Sequence, residues 1–258
     1  MTFVNRDLTN TGIVLGGRFL SNYNRIYFHS NEDLRQLFSN IDVNNKDVLS
    51  VLASGDQVFH LYDRGARHID LFDINKLTIY YFYLHIWAIK YLNLLYLDDK
   101  ILSSIKTVLE HVKPSSDYEM NIYNFWCEYI KSINDESIFY NGFYPLCNIK
   151  IDFDKLMYSI NRDNFEFYNI DLSSCLDINK KYDFVFVSNI VDYVDNLELY
   201  RDNLYNLLND NGVVICSNVG TYDCHNAQRV VFEKKFRYEP IVNLFGPFGN
   251  PGYYYKKL

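Results

Sequence analysis

Most of the signatures that would settle the chemistry of this 258-residue chain at a glance are missing from it. No stretch reaches the roughly 20 consecutive apolar residues that cross a bilayer. The longest candidate, 77–97, is broken by His85, Lys90 and Asn93 and reads as a buried helix. The N-terminus shows no long apolar region and no small-residue cleavage site, so no secretory leader is expected. Five cysteines, Cys127, Cys147, Cys175, Cys216 and Cys224, have no CxxC or zinc-type spacing, and their odd number argues against a closed disulfide framework. A reducing, cytoplasmic setting suits them. The six histidines contain no His-x-x-x-His pair, so no metal site is expected. The absence of G-x-S-x-G removes the serine-hydrolase elbow. The absence of G-x-G-x-x-G removes the pyrophosphate cradle that a dinucleotide needs. No block of Lys or Arg occurs, the net charge is −7 and the pI is near 5.3, so nucleic acid is not an expected partner.

What the chain does have is a 48% hydrophobic content, enough for one globular unit with an ordinary core. Its 24 Tyr and 19 Phe are read first as core material, with Tyr81, Tyr83 and Trp87 packing the long helix. Residues 31–40 predict a short helix with Leu34, Leu37 and Phe38 on one face. Residues 47–53 form a near-continuous apolar run, as in a parallel strand buried on both faces. A helix over 56–63 follows, closed at Gly65, then a strand over 68–72 and a long helix from Lys76 to about Leu95. Helical patterns over 100–112 and 118–133 form an insertion. Strands are expected again at 165–170, 182–188 and 213–217, with a helix over 197–208 and a turn at Asn209 to Gly212. A helix near 226–234 and a hairpin of 236–241 with 253–257 end the chain. The fold expected is α/β, a doubly wound mostly parallel sheet with a C-terminal antiparallel hairpin and a helical insertion at about 98–150. Residues 1–46 are expected to form an N-terminal helical cap segment on the sheet domain 47–258.

In such a sheet the carboxyl ends of neighbouring strands line one crevice. Ser54, Gly55 and Asp56 after the first strand should therefore meet Asp73, Ile74 and Asn75 after the second. Asp171 and Leu172 should come from the third, Ser188 and Asn189 from the fourth. A tight turn followed by an acid at the end of the next strand is how open α/β sheets hold a nucleoside, the acid accepting from ribose hydroxyls. Asp73 could instead cap the helix that follows it, and Asp171 could start an Asx-turn before Ser173. Asp63 and Asp70 read as solvent-facing.

The element order from residue 47 onward resembles the Rossmann-like class I S-adenosylmethionine-dependent methyltransferase fold. A closer resemblance is to betaine-lipid synthase aminocarboxypropyl-transferring domains and their bacterial relatives. It is carried by Tyr23-Asn24, Asn31-Glu32-Asp33, the run Val48 to Asp56, Asp73-Ile74-Asn75, Phe125-Trp126 and the run Ser188 to Tyr193. The resemblance implies S-adenosyl-L-methionine as cofactor, with Asp73 on the ribose, Asp171 near the adenine amino group and the Ser54 to Asp56 loop beside the methionine moiety. It extends the cofactor set to Tyr23, Ile74, Asn75, Leu172, Ser188 and Asn189. Asp192 and Tyr193 are the candidate catalytic residues, placed to orient the acceptor or take its proton. Two departures stand out: only Gly55 remains of the usual glycine-rich loop, and the Asn/Asp-Pro-Pro-aromatic motif of many amino-group methyltransferases is absent. The expected reaction is methyl transfer to a small-molecule or lipid-like acceptor. Transfer of the 3-amino-3-carboxypropyl group, or a cofactor-binding regulatory protein without catalysis, are the alternatives.

Overall fold

The computed structural model describes residues 13–15, 18–20, 26–27, 29–30, 32–75, 77–95, 97, 100–132, 139–140, 152–163, 165–172, 178–217, 222–241 and 252–258. Its centre is a seven-stranded sheet. Four strands carry the parallel part: β4 (Asp47–Val51), β5 (His68–Phe72), β7 (Phe167–Tyr168) and β8 (Tyr182–Ser188). A fifth parallel strand, β9 (Leu208–Ser217), leads to the antiparallel pair β10 (Phe236–Pro240) and β11 (Gly252–Lys257). The spatial order is β10-β11-β9-β8-β4-β5-β7. From β4 the chain builds outward through β5 to β7, then returns to place β8 on the other side of β4. That reversal makes the β4/β8 boundary the switch point, where open α/β sheets bind their ligands. This is the doubly wound, mostly parallel sheet with an antiparallel C-terminal pair that the sequence leads one to expect.

The apolar strand sequences explain this placement. Val48, Leu49 and Val51 of β4 and Ile69, Leu71 and Phe72 of β5 are all buried, because helices cover both faces of a parallel sheet. Helix α2 (Asp56–Asp63) follows β4 and ends as expected, with Gly65 at φ +86° beyond its last turn. Helix α3 (Leu77–Leu92) is apolar all round, which marks a helix buried between two layers. Ile79, Phe82, Ile86 and Ile89 form one stripe in the sheet core, whereas Leu77, Tyr81, Leu84 and Trp87 form another in a second core. That second core is closed by α4 (Ile101–His111) and α5 (Asp117–Ser132) of the insertion, through Ile105, Val108, Ile122 and Trp126. The Trp126 indole N–H donates to the Tyr80 carbonyl at 3.0 Å, fixing α5 on the back of α3.

Several sequence expectations are corrected here. The N-terminal segment is not only helical: it contains a small hairpin of β1 (Ile13–Leu15) with β2 (Arg18–Leu20), and a strand β3 (Ile26–Tyr27). β3 pairs in parallel with β6 (Phe139–Tyr140). Its one described helix, α1 (Leu34–Leu37), is shorter than predicted and starts where the Asp33 carboxylate accepts from Gln36 N. Helix α6 (Phe153–Arg162) was not expected, although Phe153, Leu156, Met157 and Ile160 have helical spacing and Asp152 caps its start. It supplies the last part of the crossover from β5 to β7. Asn209 to Gly212, read as a turn, lies inside β9. The register jumps from Tyr182↔Leu208 to Phe184↔Val213, so these residues bulge out of the ladder.

Asp70 is the largest reversal. Rather than facing solvent it is completely buried, and burial alone would raise its pKa. Bonds from His68, the Glu166 backbone, Tyr182 and Lys180 outweigh that and hold it at about 2. His68 also bonds Asp163, at the end of α6, whose other oxygen accepts from Ile69 N and the Tyr62 hydroxyl, each at 2.8 Å. The two acids push His68 up to about 10, Asp163 more than Asp70. This network ties α2, β5, α6, β7 and β8 together away from the strand ends that form the crevice.

Candidate functional site

The ends of the two central strands leave the sheet through unusual backbone. Ala53, just past β4, has φ +42°, and Ser188, the last residue of β8, has φ +53°. Non-glycine residues in the left-handed region cost on the order of 1 to 3 kcal/mol and gather where a site imposes its geometry. Between β4 and α2, Gly55 sits at φ +87°. A Cβ there would stand 2.7 Å from Phe82 Cδ2, so only glycine fits both the turn and the close approach of α3. Gly55 N donates to Leu52 O at 2.6 Å, and the Gln57 side-chain amide donates to the carbonyls of Val51 and Leu52. Gln57, which sequence reasoning overlooked, thus holds the strand end open for the turn.

Asp73 stitches the loop after β5 to the loop after β4. One carboxylate oxygen accepts from Ala53 N at 2.9 Å and the other from Asn75 N at 2.8 Å. It forms an Asx-turn rather than capping α3; Asn75 Oδ1 accepts from Leu77 N at 3.0 Å at the helix start. The Thr78 hydroxyl and the Ile74 backbone N–H also donate to this carboxylate. Burial raises Asp73 to about 6 against the lowering effect of those backbone donors. Beside it Ile74 is 42% exposed, an apolar side chain offered to the crevice mouth. Asn169, after β7, donates to the carbonyls of Asp73 and Ile74 at 2.8 and 2.9 Å and fixes that loop from the other side. Asp171 lies half-buried beyond it. Leu172 contributes its side chain to the sheet core and its carbonyl to Asn203.

Asp56 behaves differently from expectation. It opens α2, where its charge suits the helix N-terminus, but it is completely buried and one oxygen accepts from Ser30 N at 2.6 Å. The other oxygen lies beside the Ser54 hydroxyl, which lowers the Asp56 pKa, and both atoms are buried. Burial lifts Asp56 to about 7. Its role on the described residues is to hold the N-terminal segment over the end of β4.

The same segment supplies a residue to which the sequence assigned no role. Glu32 is 8% exposed and reaches the ends of both β8 and β9. The hydroxyls of Ser188 and Ser217 both donate to its Oε1. Burial raises its pKa, and the two serines oppose that rise. Local packing explains the placement: Leu34, Leu37 and Phe38 dock α1 on the sheet, with the Phe38 ring 5.4 Å from Phe186 of β8. The Tyr254 hydroxyl donates to Leu37 O at 2.7 Å. Asn189 and Asp192 follow β8 in a single tight turn, Ile190–Tyr193. Asp192 is half-buried and accepts from Gln228 Nε2 at 2.9 Å, while Tyr193 is 48% exposed. Tyr23 lies outside the described residues.

Three buried carboxylates, Glu32, Asp56 and Asp73, therefore surround the switch point. None of them pairs with a Lys, Arg or His among the described residues. No group of three or more His, Cys, Asp or Glu among those residues is placed to hold a metal. Nor is any described helix long and apolar enough to cross a membrane.

No family model matches the chain, and no curated protein matches it in sequence. Solved structures are similar to it in fold. One is the N-methyltransferase NodS from Bradyrhizobium japonicum WM9 in complex with S-adenosyl-L-homocysteine: 8% identity, 87% of this chain and 83% of that chain, TM-score 0.44. Another is a TehB-like SAM-dependent methyltransferase from Corynebacterium glutamicum: 10% identity, 87% of each chain, TM-score 0.47. A third is a ribosomal protein L11 methylase from Lactobacillus delbrueckii subsp. bulgaricus: 12% identity, 87% of this chain and 76% of that chain, TM-score 0.43.

Proposed function

We propose that this chain binds S-adenosyl-L-methionine at the β4/β8 switch point and transfers the methyl group to a small-molecule acceptor. The observation that carries the reading is the set of buried carboxylates that have no cationic partner among the described residues. A buried charge is costly unless paired, and Asp56 and Asp73 are raised for that reason. A ligand bearing a sulfonium and an ammonium would supply the missing charge, whereas a phosphate ligand would be repelled. Asp73 at the end of β5 is placed to meet ribose hydroxyls, and exposed Ile74 offers an apolar contact to adenine. The Ala53 to Gly55 turn would lie against the methionine tail.

Methyl transfer needs no covalent enzyme intermediate. S-adenosyl-L-methionine held there would supply an electrophilic methyl carbon for the acceptor lone pair, with the C–S pair passing to a neutral thioether leaving group. The protein's contribution is alignment at near-attack distance and exclusion of water. Asn189 would orient the methionine tail, with Asp192 and Tyr193 on the acceptor side. Aminocarboxypropyl transfer is the second reading, favoured by the resemblance carried by the Val48 to Asp56 and Ser188 to Tyr193 runs; it uses the same site with a different carbon presented. The test is titration with S-adenosylmethionine and S-adenosylhomocysteine by calorimetry, then mass analysis of the spent cofactor. S-adenosylhomocysteine marks methyl transfer and methylthioadenosine marks the alternative. No binding of either ligand would leave a scaffold without this chemistry.

A further inference from the structure

Glu32 stands apart from the other two acids. It reaches the ends of β8 and β9, on the far side of the switch point from Asp73, where the acceptor must approach if adenosine lies over β4 and β5. Both serine hydroxyls bond the same oxygen, Oε1, and the described residues give Oε2 no partner. Beneath the same segment lie the buried second oxygen of Asp56 and the Ser54 hydroxyl. The serine donors fix the carboxylate and leave one oxygen for a ligand.

We propose that Glu32 is the catalytic residue that receives the acceptor's proton, and that the acceptor is an amine. This rests on the S-adenosylmethionine reading. The amine arrives as an ammonium, attracted by a crevice with three acids and no described cation paired to them. Glu32 Oε2 takes one ammonium proton. The freed lone pair attacks the methyl carbon, the C–S pair goes to sulfur, and the product leaves as a methylated ammonium. Glu32 then returns its proton to water. An alcohol is far too weak an acid to yield its proton to a carboxylate before attack, whereas an ammonium is within reach. Burial favours this role by raising Glu32 towards the range where it can hold a proton.

Among the described residues Cys216 of β9 is a titratable group near Glu32, and Asp192 of the turn after β8 acts on the same thiol. The Cys216 thiol is held up by burial first, then by Asp192 and Glu32, so it stays neutral while Glu32 titrates.

The experiment uses the full chain with S-adenosylmethionine and two amine probes, ethanolamine and spermidine, against glycerol as the hydroxyl control, with products read by mass spectrometry. Methylation of an amine but not of glycerol is expected. Glu32→Gln keeps an oxygen that accepts from both serines but cannot carry the proton. It should lower transfer about 100-fold or more while the cofactor Kd, measured by calorimetry, and the melting midpoint stay close to wild type. Ser217→Ala removes a donor that favours the charged carboxylate, so the pH midpoint of transfer should move up, a change that a merely structural Glu32 would not produce. Cofactor binding without methylation of either amine, or undiminished transfer by Glu32→Gln, overturns this proposal alone. Failure of the wild type to bind cofactor overturns the cofactor reading and this proposal with it.

Discussion

Asp73→Asn and Asp73→Ala should part company in stability while agreeing in binding. Burial lifts the Asp73 carboxyl from its ordinary 3.8 to about 6. A rise of that size corresponds to about 3 kcal/mol by which the fold disfavours the charged form. The sign follows from proton counts. Between about pH 4 and pH 6 the folded chain holds this proton and the unfolded chain has released it, so stability falls as pH rises through that window. Above pH 6 the whole penalty is present; below pH 4 it is absent. Asparagine is neutral and nearly isosteric, and its oxygen still accepts from one of the two backbone N–H groups of Ala53 and Asn75. At pH 7.5 Asp73→Asn should therefore be as stable as wild type or up to about 2 kcal/mol more so, and its contribution should be flat from pH 4 to 7. Alanine leaves both N–H groups without an acceptor, at about 1 to 3 kcal/mol each, and should destabilise. Both variants remove the charge for the ribose, and both should weaken S-adenosylmethionine binding by about 1.5 to 3 kcal/mol. Urea unfolding across pH 4 to 8 and calorimetric titration measure the two effects. If Asp73→Asn loses as much stability as Asp73→Ala at pH 7.5, the buried charge is not a burden and the reasoning fails.

Three other outcomes follow from the same geometry. Gly55→Val places a Cβ against Phe82 in a left-handed turn and should abolish cofactor binding, with a lower melting midpoint; normal binding would put the cofactor loop elsewhere. His68 carries a pKa raised to about 10, so its stabilising effect is whole below about pH 6.5 and lost as pH climbs through 10. His68→Gln should lower urea stability most at and below neutral pH and converge on wild type above pH 10, and a constant gap across that range would contradict it. With Glu32 taking the proton, Asp192→Asn and Tyr193→Phe should each change turnover less than about tenfold; a 100-fold loss would return proton transfer to the turn after β8.

The sheet was legible because its signal is local. The apolar runs of β4 and β5 and the helical spacing of α2 come from residues that touch their neighbours in sequence, and β5 and α2 match expectation to the residue. Gly55 and Asp73 stand just past the strand ends, as their positions in sequence lead one to expect, in a left-handed turn and an Asx-turn. What escaped depends on distant partners. Asp70 reads as polar and outward in an alternating strand until Lys180 and Tyr182, more than a hundred residues later, are brought against it. Asp56 looks like a ligand for the cofactor until Ser30 is laid over it. Glu32 is one acid among many in a polar segment, and nothing within ten residues announces the two serines that define it. Helix α6 is a different case: its spacing and its Asp152 cap are local signals that the sequence carries.

The contacts of Glu32 span 156 residues to Ser188 and 185 to Ser217. Such closures are slow to find, because the intervening loop must first be ordered by other contacts. A ribosome makes the segment around Glu32 before any strand of the main sheet, yet its docking place exists only after β8 and β9 are assembled. The roof of the crevice is thus the first part made and the last installed. A nascent or partly unfolded chain can own a complete Asp73 loop and still lack the Glu32 contacts, so closure of the crevice reports completion of the whole fold.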